Sequence, residues 1–137
     1  MKKKTYQDAR RWLKQYKLTE KELKSRLDYA EEFKKILMHP LSGEEIALNK
    51  IYRSIVSYME KQSRFLKNRL REIERVIETL PAEEKAVIYY RYIVGVSWLD
   101  MPEYMMYEQR TCQTFEMKAL NRIAKMNIDW EGKKSEK

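Results

Sequence analysis

Between Glu44 and Thr79 the chain runs for 36 residues without a glycine or a proline. These are the two residues that most readily interrupt regular structure, so the simplest reading is one helix of roughly 50 Å at about 1.5 Å per residue. Apolar residues recur along it at spacings of three and four: Leu48, Ile51, Ile55, Met59, Leu66, Leu70, Ile73, Ile77 and Leu80, with Gln62 the polar interruption. A helix this long cannot bury such a stripe alone. Another helix must lie against it, and with only three glycines and three prolines in 137 residues the whole chain reads as all-α.

The partner comes from upstream. A basic amphipathic helix is expected from Thr5 to Lys17, with Tyr6, Ala9, Trp12, Leu13 and Tyr16 on one side and Arg10, Arg11 and Lys14 on the other. Such a segment could lie on a membrane surface, but its stripe packs equally well on a neighbouring helix, the favoured reading. Thr19 and Glu22 then form a capping box, flanked by Leu18 and Leu23 as a hydrophobic staple, so a second helix is expected from Glu20 to His39-Pro40. It carries Leu23, Leu27, Ala30, Phe33 or Lys34, and Leu37 inward. HPLSG, residues 39–43, is the clearest break and predicts a chain reversal, which makes residues 1–79 an antiparallel, coiled-coil-like hairpin of long helices. The upstream helix covers about the first half of the long one; the C-terminal residues or a second copy must cover the rest. Gln62 then either sets register between partners or sits in water at the edge of a broad stripe. His39, the sole histidine, has no second histidine to share a metal and reads as a turn residue.

Leu80-Pro81 ends or bends the long helix, and Pro81 suits the first position of the next, which carries Ala86, Val87, Tyr90, Ile93 and Val94 and stops at Gly95. Ser97 and Asp100 then form a second capping box before a helix of about nine residues with Trp98, Met101 and Met105 on one face. A further helix follows almost at once, with Cys112, Phe115, Ala119, Leu120 and Ile123 inward. Two such helices across a tight turn make a helix-turn-helix. Its outward residues are types that contact DNA: Gln109, Arg110, Gln113 and Thr114 for base edges, and Thr111, Lys118, Arg122 and Lys125 for phosphates. An amphipathic helix with a merely solvated polar face shows much the same pattern.

The run from Leu80 to Ala124 resembles region 4 of bacterial sigma factors in its Leu80-Pro81, Glu83-Glu84, Arg91-Tyr92, the helix around Trp98 to Met105, and Ala119-Leu120. With a long charged helical region in front, residues 5 to about 125 are similar to the ArpU- or RinA-like phage transcriptional regulators. That resemblance implies a DNA-binding activator of phage late genes at work in the cytoplasm of a bacterial host, with double-stranded DNA and RNA polymerase as partners. Two departures stand out. Pro102 should kink the first short helix or delay its start, and Tyr107-Glu108 replaces the usual Ser or Thr cap of the second.

The net charge of +8 is uneven: residues 1–40 hold 12 Lys and Arg against 6 Asp and Glu, whereas residues 81–125 hold 6 against 6. A neutral module binds DNA weakly by charge alone, which calls for a homo-oligomer through the long helices or a protein partner. Residues 1–79 are therefore read as an arm, 80–126 as the DNA-binding module and 127–137 as a polar, flexible tail. There is no nucleophile beside a base, no metal-ligand cluster, no glycine-rich phosphate loop and no apolar span, so the chain is not expected to be an enzyme, to hold a cofactor or metal, to bind a small-molecule substrate or to enter a membrane. The single cysteine, Cys112, is expected as a buried thiol. Two alternatives remain: a sigma-mimicking module that binds RNA polymerase without DNA, and a packaging protein like a small terminase subunit.

Overall fold

The computed structural model describes residues 3–37 and 43–132. Every regular element among them is helical: α1 (Tyr6–Leu37), α2 (Gly43–Glu78), α3 (Ala82–Ile88), α4 (Met101–Met105) and α5 (Gln109–Ala124), with α3 running on into a wider π-helical turn over Tyr89–Val94. No described helix is long and apolar enough to cross a membrane.

Against the two helices expected from the sequence, α1 is one helix of 32 residues. The Thr19–Glu22 signature lies inside it and Leu18, half of the expected staple, is 70% exposed. A capping motif offers the backbone an alternative start, but nothing between Tyr6 and Leu37 forces a stop, and continuity lets both halves pack on α2. Contacts pair the later part of α1 with the earlier part of α2, and the earlier part of α1 with the later part of α2. The Phe33 and Tyr52 rings lie 5.6 Å apart, Lys34 meets Glu60 at 3.0 Å, and the Tyr16 hydroxyl donates to Glu74 at 2.7 Å, with Gln15 bonded to Arg69. These contacts reach from Tyr52 to Glu74, so α1 lies along more than half of α2. The reversal expected at HPLSG falls, apart from Gly43, outside the described residues, as does His39.

In α2 the polar residue in the seam is Ser63, 3% exposed, and not the half-buried Gln62. Its hydroxyl donates to the Met59 carbonyl at 2.9 Å, so the buried group is satisfied within its own helix.

One core spans the boundary expected near residue 80. Ala9, Trp12, Leu13 and Tyr16 of α1 and Leu70, Ile73, Val76 and Ile77 of α2 share it with Val87 and Ile88 of α3, Met101 and Met105 of α4, and Cys112, Ala119, Leu120 and Ile123 of α5. The C-terminal residues therefore rest on the start of α1 as much as on α2. Part of the expected tail joins them: Ile128 is 8% exposed, and the Trp130 ring meets Trp12 edge-on at 5.6 Å. Residues 133–137 lie outside the described residues.

Candidate nucleic-acid interface

Gly95 ends the π turn in the left-handed region at φ 93, where a Cβ would be strained, and both its N–H and that of Val96 return to the Tyr90 carbonyl at 2.9 and 2.8 Å. Ser97 then holds Asp100: its Oγ accepts from the Asp100 N–H at 3.2 Å and donates to the Asp100 carboxylate at 3.0 Å. The expected helix start is delayed, however. Residues 98–100 form a turn and α4 begins at Met101, with Pro102 in its first turn where the missing N–H costs no helical bond. Trp98 consequently lies outside the helix, stacked on the Arg91 guanidinium at 5.1 Å.

Between α4 and α5 stand only Met106, Tyr107 and Glu108. Met106 takes a left-handed conformation at φ 62 and its N–H caps α4 through the Pro102 carbonyl at 2.9 Å. Glu108 is extended and makes no side-chain cap, as the absence of a Ser or Thr there predicts. Tyr107 packs edge-on against Phe115 at 5.2 Å, which ties the turn to the first half of α5.

The orientation of α5 is held by two buried carboxylates on different sides of it. Glu116, 5% exposed, accepts from the Tyr92 hydroxyl at 2.7 Å and from Arg10 of α1 at 3.2 Å. Glu84 of α3, also 5% exposed, takes both Nε and Nη2 of Arg122, at 3.0 and 3.1 Å. Burial, reinforced by that hydrogen bond to Glu116, pushes the Tyr92 phenol well above its ordinary 10.0, and burial likewise raises the Cys112 thiol above 9.0. Cys112 is thus an inert core thiol.

With α5 so oriented, Gln109, Arg110, Thr114, Lys118 and Lys125 are exposed, and Thr111 is half-buried. Arg110, Thr114 and Lys118 follow one another at a spacing of four on one continuous face. The Thr114 hydroxyl bonds back to the Arg110 carbonyl at 3.1 Å, which leaves its methyl and an oxygen lone pair outward. Gln113 stands apart from this stripe: it is half-buried and lines a cleft with Arg10, Arg91 and Trp98. Arg122, expected at a phosphate, is engaged with Glu84.

These pairings change the charge argument. Glu84 offsets Arg122 inside residues 81–125, and Glu116 is offset by Arg10 from outside them. The remaining groups of that stretch are Lys85, Arg91, Arg110, Lys118 and Lys125 against Glu83, Asp100, Glu103 and Glu108, a small positive excess concentrated on α5. Sequence reasoning missed Glu116 and Arg10 as a pair, because a Glu next to an apolar stripe looks like any solvated helix residue. The one available signal was its position four residues after Cys112, on the inward side.

Comparisons with protein-family models, with curated proteins and with solved structures return no match for this chain.

Proposed function

We propose that this chain is a sequence-specific, DNA-binding transcriptional regulator of the phage late-gene activator type, in which α4 and α5 act as a helix-turn-helix and α1 with α2 as a hairpin arm. The observation that carries the reading is the exposed Arg110–Thr114–Lys118 face of α5, held by two ion pairs whose carboxylates are buried and preceded by a three-residue turn. A helix fixed on three sides with a polar, cationic fourth side has the form needed to enter a major groove. In this reading Gln109, Arg110 and Thr114 meet base edges and Lys118 and Lys125 meet phosphates, in the cytoplasm of a bacterial host. The arm supplies contacts to a second copy or to RNA polymerase.

A second reading has its own support. Leu99, Met106, Tyr104 and Tyr107 are exposed around α4, with Leu99 at 83% and Met106 at 86%. Apolar groups displayed this way suit a protein partner, as a sigma-mimicking module that binds polymerase without DNA requires.

Substitution separates the two. If the regulator reading holds, Arg110→Ala weakens the preferred duplex by about 1–3 kcal/mol and relaxes base preference, whereas Lys118→Ala weakens all duplexes alike. Equal losses on every duplex from both changes would remove the assigned base-reading role, and full retention of polymerase with no duplex binding would select the second reading.

A further inference from the structure

The cleft beside α5 has a composition that its neighbours do not explain. It encloses about 390 Å³ and brings together Arg10 and Lys14 of α1, Arg91 of the π turn, Trp98 and Gln113. Three cations from two elements converge there, and the carboxylate among the lining groups, Glu116, already accepts from both Arg10 and Tyr92. Its opening is therefore electropositive.

The two guanidiniums are held in place without being used up. Arg91 donates one bond to the Val96 carbonyl at 3.1 Å and is stacked on Trp98 at 5.1 Å. Arg10 is anchored through one nitrogen, Nη2, by Glu116. Each planar group has five N–H donors, so spare donors remain on both. Lys14 is exposed and forms no ion pair among the described residues. Two fixed forks and one mobile ammonium around a polar cleft are the donor set of a phosphate group, with Gln113 able to add an amide N–H.

We propose that this cleft seats a backbone phosphate of the DNA duplex. The inference rests on the reading of α5 as a DNA-contacting helix. What favours a phosphodiester over a free nucleotide is placement. Gln113, on the rim, lies one turn from Arg110 and Gln109, so a phosphate seated there continues the track of a strand bordering the groove that α5 enters. Trp98, moreover, already carries the Arg91 guanidinium over one face, which leaves at most the other for a nucleotide base. The N-terminal helix then belongs to the interface, and Gln113 moves from base reading to phosphate contact.

The test uses the full chain and its salt dependence on a duplex. Lys14→Gln should lower the magnitude of the slope of log affinity against log salt by about 0.9, the loss of one phosphate contact, and weaken preferred and random duplexes by the same factor. Lys24→Gln, an exposed change farther along α1, should leave the slope unaltered. Duplex binding by the native chain with an unchanged slope for Lys14→Gln would overturn the phosphate seat and leave the DNA reading standing. Absence of duplex binding by the native chain would overturn both; a shift of the Trp98 indole N–H resonance with inorganic phosphate would then reassign the cleft to free phosphate.

Discussion

Glu116 is the residue on which the geometry of α5 most depends, and its isolation in sequence hides it. Its partners lie 24 and 106 positions away, at Tyr92 and Arg10, so no local pattern reports them. Cutting it back to alanine leaves the Tyr92 hydroxyl, buried at 6% exposure, without its acceptor. Glu116→Ala should therefore destabilise the fold by about 1–3 kcal/mol, measured by urea unfolding, and loosen α5 against α1. A loss below about 0.5 kcal/mol would mean that water satisfies the phenol and that the pair is peripheral. The residues legible in the sequence were those with periodic neighbours. Ala9, Trp12, Leu13 and Tyr16 were read inward and are buried, as are Cys112, Ala119, Leu120 and Ile123. Gln113 and Arg122 were read outward by the same periodicity; the cleft beside Trp98 and the carboxylate of Glu84 give them other neighbours, which only tertiary packing could supply.

At the scale of elements, the same contrast recurs. Stops made by backbone chemistry were readable: Leu80-Pro81 separates α2 from α3, Gly95 closes the π turn, and Pro102 delays α4. The stop inferred from the side chains of Thr19 and Glu22 was not real, because a capping motif is a preference of about 1 kcal/mol that packing on α2 overrides. The turn into α5 contains one strained position. Met106 adopts φ 62 while 86% exposed, so its side chain gives little packing in return. A left-handed conformation costs a non-glycine residue about 1–2 kcal/mol. Against the extra freedom glycine gives the unfolded chain, Met106→Gly should raise stability by about 0.5–1 kcal/mol, read as a higher midpoint in urea. A lower midpoint would show that the freedom glycine gives the unfolded chain outweighs the left-handed cost at Met106.

Across the whole molecule one core joins the start of α1, the end of α2 and the helices after it, so the candidate interface and those ends of the long helices unfold together if this account is right. That core protects three groups that ionise in alkali. Tyr16 and Tyr92 are held above their ordinary 10.0 and Cys112 above 9.0, in each case first by burial, with Glu74 and Glu116 accepting from the two phenols. The native state thus keeps protons that the unfolded chain gives up. Since all three values are raised, their contribution is complete below about pH 9 and is lost as the pH climbs, so the thermal midpoint should fall steadily between about pH 9 and 11. Tyr16→Phe should flatten that decline. A midpoint independent of pH over this range would mean that the phenols are open to water. The charge of the molecule is divided in a way that matters for binding as well, with residues 1–40 strongly basic and α1 passing directly beside α5. Of this N-terminal charge, which the sequence suggested belonged to a separate arm, Arg10 and Lys14 lie beside Gln113 of α5.

The most direct test is retention of duplex fragments from the chain's own genomic neighbourhood by the purified protein, titrated across salt against random competitor. Selective retention of one fragment that survives moderate salt is the expected result, with the selectivity lost in Arg110→Ala. Equal retention of all fragments, vanishing as salt rises, would contradict the claim that α5 reads bases.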